Sequence, residues 1–259
     1  MKIAIFDSGI GGVTVLKEFI HSLPEHDYLY FGDTANVPYG SKSPSHIKKL
    51  VTEASKKISR FKPDVLIVAC NTASSIALNE FKKNMSAPVI SVVDAGIASI
   101  KNESIRAPKK PILILGTSTT IKSRVYSKLL NKAKIKTKVL EQACPLLVPI
   151  IEQGWINHAV LKLTLKEYLK SHKAHGPGIA LLGCTHYPWA QHEIQKQLKG
   201  WVILNSAISV LNLVRKQFNL PSTPKSKKSK SPPIKWYFSD PQSVPLALLG
   251  LKQNNIHPF

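Results

Sequence analysis

The sequence predicts an α/β fold made of two similar α/β domains, with mainly parallel sheets related by pseudo-two-fold symmetry. Three observations carry this prediction. Short apolar runs alternate with helical stretches, the pattern of strands joined by crossover helices. The alternation starts afresh near residue 111. Each half holds a cysteine directly after an apolar run, Cys70 in the first and Cys184 in the second.

In the first half, Lys2 to Phe6 is a strand that stops at Asp7-Ser8-Gly9-Ile10-Gly11-Gly12. Val13 to His21 is a helix, with Val15, Leu16 and Phe19 on one face. Tyr28 to Phe31 is a second strand, ending at Gly32-Asp33. His46 to Phe61 is a helix with Ser45 as its N-cap. Val65 to Ala69 is a third strand, ending at Cys70. Asn71 to Lys83 follows as a helix and Pro88 to Val93 as a fourth strand.

The second half repeats the scheme. Pro111 to Leu115 is a strand running into Gly116-Thr117, and Ile121 to Lys132 is a helix. Lys138 to Leu140 is a short strand and His158 to His172 a helix. Gly178 to Leu182 is a strand ending at Gly183-Cys184-Thr185-His186. Ala190 to Leu198 is a helix and Trp201 to Leu204 a strand. Pro221 to Lys235 is rich in proline and lysine and lacks acids, so it reads as an exposed loop or linker. Trp236 to Phe238 is a last strand and Val244 to Leu251 a short helix. The expected domains are 1–95 plus 206–259, carrying Cys70, and 96–205, carrying Cys184. Open α/β sheets bind ligands at the carboxyl ends of their strands, so the active site is expected in the interdomain cleft.

Composition narrows the class. With 259 residues, 43% of them hydrophobic, the chain can bury a full core and is not disordered. Its apolar runs are too short for a membrane span, and the N-terminus lacks a signal-peptide pattern. Three cysteines fit reduced thiols in the cytoplasm better than a disulfide framework. The formal charge of +21 raises nucleic acid as a partner. Dispersed lysines on solvated faces are the preferred reading, since no helix-turn-helix, zinc-finger or aromatic RNA-binding pattern accompanies them. A small anionic substrate is also drawn to such a surface.

Cys70 and Cys184 concentrate the chemistry. A single cysteine at a strand end is often a small buried apolar residue. Two in matching positions are harder to dismiss. Each precedes a helix, where backbone N–H groups and the dipole favour the thiolate and bring the thiol toward neutral pH. Two such groups across a cleft can act as general base and general acid. Inverting a carbon stereocentre needs that arrangement, because a proton leaves one face while another arrives on the opposite face. A redox pair is the rival use, but it normally employs a close Cys-x-x-Cys spacing. Cys144 precedes proline, has no counterpart in the other half, and reads as packing.

Seven stretches, in order, resemble the glutamate racemase family of cofactor-independent amino-acid racemases. They are Phe6 to Gly12, Gly32 to Ser41, Ala69 to Ala73, Gly116-Thr117, Ala143 to Pro145, Glu152 to Gly154, and Gly183 to Pro188. The resemblance implies that Cys70 and Cys184 are the paired acid/base thiols. It implies that Asp7 assists Cys70, that Glu152 and His186 assist Cys184, and that Asp33 is a further acid near the site. It implies that Asp7, Ser8, Tyr39, Gly40, Asn71, Thr72, Thr117, Thr185 and His186 hold the substrate. No cofactor and no metal are expected, and glutamate is the expected partner, with a homodimer possible in this family and no membrane association. Two places depart from the family pattern: Asn36 stands where a basic residue is usual, and Asn205-Ser206-Ala207 where Asp-Ser-Gly is usual. The rival functions are a related racemase for aspartate or a hydantoin, and a basic nucleic-acid-binding protein on a racemase fold.

Overall fold

The computed structural model describes residues 1–221 and 232–259. Its strands are β1 (Lys2–Asp7), β2 (Asp27–Gly32), β3 (Val65–Val68), β4 (Val89–Ser91), β5 (Ile112–Gly116), β6 (Val139–Ala143), β7 (Ile179–Gly183), β8 (Val202–Asn205), β9 (Ile234–Phe238) and β10 (Ile256–Pro258). Its helices are α1 (Val13–Ser22), α2 (Pro44–Ser59), α3 (Asn71–Asn84), α4 (Val92–Arg106), α5 (Ser118–Ser123), α6 (Val125–Lys132), α7 (Leu147–Glu152), α8 (Ala159–Leu169), α9 (Gln191–Gln197), α10 (Ser206–Phe218) and α11 (Leu246–Leu249).

The strands form two sheets, and every described pairing is parallel. One sheet has the order β10-β9-β2-β1-β3-β4 and the other β6-β5-β7-β8. The inner order β2-β1-β3-β4 of the first is repeated by β6-β5-β7-β8 of the second. This is the duplication that the restart in the sequence predicts. Strands β1, β3, β5 and β7 are buried almost throughout, as parallel strands covered on both faces must be. Cys70 follows β3 and Cys184 follows β7, so the two thiols occupy equivalent places. In both sheets the order reverses between the first strand and the third, at β1/β3 and at β5/β7. A crevice opens at the carboxyl ends there, because the following connections leave in opposite directions.

Several local readings are corrected. Helix α2 begins at Pro44 and is capped by Ser43, whose hydroxyl accepts from the His46 N–H, rather than by Ser45. Pro44 occupies the first helical position, where its missing N–H costs nothing. The expected helix 121–132 is two helices, broken at Arg124 in the left-handed region (φ 55°). Ser91 caps α4 by accepting from the Asp94 N–H, so the strand expected to reach Val93 stops two residues earlier. The run after Cys184 does not open directly into an α-helix: a 3-10 turn, Tyr187–Ala190, intervenes before α9. The linker expected at 221–235 lies mostly outside the described residues.

Helix α10 buries Ala207, Val210, Leu211 and Val214 in the core shared with α1 and β1. Each large aliphatic side chain so placed contributes roughly 1.5–3 kcal/mol. Asn205 caps this helix by accepting from the Ala207 N–H at 2.9 Å. Asparagine caps as well as aspartate, so the departure at 205 leaves the helix start intact. Asn36 donates from its amide to Asp33 Oδ1 at 3.0 Å. No described helix is long and apolar enough to cross a membrane.

Candidate active site

A cavity of about 90 Å³ lies where the carboxyl ends of the two sheets meet. Six strands deliver its wall. From the first sheet come Ser8 after β1, Val37 to Ser41 after β2, and Cys70 to Thr72 after β3. From the second come Thr117 and Ser118 after β5, Pro145, Val148, Pro149 and Glu152 on and before α7, and Cys184 to His186 after β7. Both predicted thiols therefore line one chamber, one from each half. They are 5% and 6% exposed and unpaired with each other or with Cys144.

The surroundings of the two sulfurs differ. Cys70 is the N-cap of α3: its Sγ accepts from the Ala73 N–H at 3.4 Å. It also donates to Ser8 Oγ at 3.3 Å. Cys184 Sγ lies 4.0 Å from His186 Nδ1. His186 Nε2 donates to Glu152 Oε1 at 2.9 Å. That bond fixes the tautomer, leaving Nδ1 on the sulfur side. Glycine at position 11 makes room for this group. A Cβ there would run into Thr185 Oγ1 and stand 2.5 Å from His186 Nδ1.

Burial dominates the electrostatics. It pushes the Cys70 thiol from an ordinary 9.0 to about 11, and the nearby Asp7 carboxylate adds to the rise. Ser8 and the Ala73 N–H oppose it and are outweighed. Burial also holds Cys184 well above its ordinary value, with the His186 backbone N–H working the other way. The expectation that a helix start draws each thiol toward neutrality is thus corrected. Desolvation penalises the thiolate more than one capping N–H favours it. For Cys184 there is also no α-helix starting at the sulfur. Asp7 is itself raised by burial, which outweighs the opposing charge of His186.

The other expected residues are placed as follows. Ser8, Tyr39, Gly40, Asn71, Thr72, Thr117, Thr185, His186 and Glu152 all line the cavity. Asp7 sits behind the wall. Its Oδ2 accepts from the Gly9 N–H at 3.0 Å and its Oδ1 from Thr185 Oγ1 at 3.1 Å. Asp33 also stands behind it, accepting from the Tyr39 hydroxyl at 2.6 Å. Thr72, Thr117 and Thr120 form a cluster of hydroxyls across the two halves, with Thr72 Oγ1 2.9 Å from Thr117 Oγ1. Cys144 is buried in the second core with its thiol directed at the Gln142 carbonyl, as its packing role predicts. The sequence reading missed the apolar wall of Val148 and Pro149 on α7, and Tyr126, whose hydroxyl donates to Asn71 Oδ1 at 2.6 Å. The apolar run Leu146 to Ile151 was the available signal for α7. A buried tyrosine in a core helix carries none.

Comparison with known proteins identifies the fold and the family. Residues 13–212 match the family model described as Asp/Glu/Hydantoin racemase. The glutamate racemase of Sulfurihydrogenibium sp. (strain YO3AOP1) is 41% identical over 229 residues, which is 88% of this chain and 87% of that protein. The glutamate racemase of Aquifex aeolicus (strain VF5) is 42% identical over 208 residues, 80% of this chain and 79% of that protein. The crystal structure of Francisella tularensis glutamate racemase in complex with D-glutamate superposes with a TM-score of 0.85 at 30% identity, covering 100% of this chain and 97% of that one. A Picrophilus torridus aspartate racemase, 17% identical with a TM-score of 0.60 over 84% of this chain and 94% of that one, shares the fold.

Proposed function

The chain belongs to the glutamate racemase family, and from that premise we propose that it interconverts L- and D-glutamate with two thiols and without a cofactor. The observation that carries this reading is the shared chamber lined by Cys70 and Cys184 from equivalent positions of two equivalent sheets. In one direction a Cys70 or Cys184 thiolate takes the Cα proton. The opposite thiol gives its proton to the other face of the same carbon. The product leaves with the two sulfurs in exchanged protonation states.

The chain's own residues address the two hard parts of this chemistry. The first is making a thiolate in a dry site. The substrate ammonium brings positive charge beside sulfurs that burial keeps protonated. His186 Nδ1 can take the Cys184 proton, while the Ser8 hydroxyl can only hydrogen-bond the Cys70 sulfur, whose proton leaves to solvent. The second is the charge that spreads onto the α-carboxylate as Cα–H breaks. Asn71, Thr72 and Thr117 present amide and hydroxyl donors in a water-poor chamber, where such donors act most strongly. Asp7 and Asp33 lie behind the wall, so their part is to hold Thr185 and Tyr39 rather than to meet substrate. Residues 1–95 with 206–259 form one domain in this reading and 96–205 the other, matching the strand membership of the two sheets. The product serves peptidoglycan synthesis in the cytoplasm, where thiols stay reduced.

The test is a pair of variants, Cys70→Ala and Cys184→Ala, assayed by optical rotation with L- and with D-glutamate. Each is expected to lose racemisation while still exchanging the Cα hydrogen of one enantiomer with deuterated solvent. Full racemisation by either variant would falsify the two-thiol mechanism. Preference for aspartate in a panel of amino acids would move the substrate assignment without touching the mechanism.

A further inference from the structure

Tyr126 is fully buried on α6, packed among Ile100, Ile114, Leu130 and Leu181 of the second half's core. Its hydroxyl nevertheless reaches the first half, donating to Asn71 Oδ1 at 2.6 Å. Asn71 is the first residue of α3 and lines the cavity. Its Nδ2 is buried and meets no partner in the protein. We propose that Tyr126 is a positioning residue that locks the Asn71 amide so that Nδ2, rather than Oδ1, is presented to the substrate carboxylate.

The two ends of an asparagine amide have nearly the same shape and opposite hydrogen-bonding character. With Nδ2 toward the chamber, Asn71 donates to an anion. Flipped, it presents a carbonyl to that anion and repels it. Shape alone does not choose between them, but a proton donor on the far side does. The 2.6 Å separation is typical of an O–H···O bond, whereas N–H···O contacts centre near 2.9–3.0 Å. Burial, the Cys184 thiol and Asp94 all push the Tyr126 phenol up, so it keeps the proton it donates. The donor sits in one half and the amide in the other. Asn71 is therefore oriented only when the halves are together, which ties substrate recognition to closure of the cleft.

This inference rests on the racemase reading, and its test separates the two. Tyr126→Phe keeps the ring that packs against Gly96 and Gly183 and removes only the hydroxyl. It is expected to raise KM for both glutamate enantiomers about tenfold, the size of a lost hydrogen bond to a charged group, with kcat changed less than threefold. In an Asn71→Ala background the same change is expected to have no further effect on KM. Equal losses in both backgrounds, or an unchanged KM, overturn the proposal. A substrate-independent readout accompanies this: the ¹⁵N-resolved side-chain amide signal of Asn71 is expected to shift in Tyr126→Phe. An unmoved signal overturns the lock whatever the protein turns over. A shifted signal in a protein inert toward glutamate upholds the lock and sinks the racemase assignment instead.

Discussion

Replacing Cys70 by serine is expected to flatten the alkaline part of the stability curve. The folded thiol holds its proton up to about pH 11, whereas an unfolded one begins to lose it near 9.0. Between those values the unfolded chain binds fewer protons than the folded one, so stability falls as pH rises. From pH 8 to pH 10.5 this linkage removes about 2 kcal/mol from the wild type. Serine does not titrate in that range, so its variant escapes this loss. Lysines, tyrosines and the other two cysteines titrate in both proteins and cancel in the comparison. The assay is urea unfolding followed by circular dichroism, under reductant, at half-unit pH steps. Free energies of the two proteins should converge by about 2 kcal/mol toward pH 10.5. Parallel curves would refute the claim that burial governs this sulfur. They would mean that the folded sulfur titrates as it does in the unfolded chain, near 9.0.

Three further outcomes are expected. Gly11→Ala should displace His186 and Thr185 and cut kcat/KM at least 100-fold while leaving the secondary structure intact, because the added methyl meets both side chains. Glu152→Gln keeps the shape of the His186 partner but removes its charge. Enantiomers have equal free energy, so kcat/KM must fall by the same factor in both directions, about 10- to 100-fold. The Cα-deuterium isotope effect should nonetheless grow more in the direction that uses Cys184 as the base. Finally, the basic surface is tested by DNA binding at low salt. The absence of a salt-dependent affinity would dispose of the nucleic-acid reading.

The sequence made the repeated architecture and the two thiols legible because both leave local marks. A buried parallel strand is an unbroken apolar run, as in Val65 to Val68 and Ile179 to Gly183. The chemistry-bearing residue then follows at the strand end. Some of what escaped was too short or masked by a neighbour. Strand β10 has three residues and exists because β9 offers it a parallel edge. Helix α4 merged with the preceding strand, since Val92 and Val93 continue the apolar run and only the Ser91 cap marks the change. Helix α10 went unread, although Asn205 and the spacing of Ala207, Val210, Leu211 and Val214 marked it. Acidity was the larger misreading. A helix start is visible in a sequence, but Cys70 is desolvated by residues scattered along the chain, Phe6, Leu29 and Phe31 among them. Asp33, which the resemblance puts near the site, stands one hydrogen bond behind the cavity wall, accepting from the Tyr39 hydroxyl.

The recurrence of one strand order in both sheets has a consequence for how such a catalyst can change over generations. A single unit of this kind carries one sulfur and half a wall, so it must pair with a twin to enclose anything. In a pair of twins every substitution appears on both sides at once. Joining the units in one polypeptide lifts that constraint, and here the two sides differ: a serine hydroxyl accompanies one sulfur, an imidazole and a carboxylate the other. Mirror-image substrates thus meet a vessel whose left and right walls are separately editable, and a reactive inhibitor can be shaped to prefer one of them.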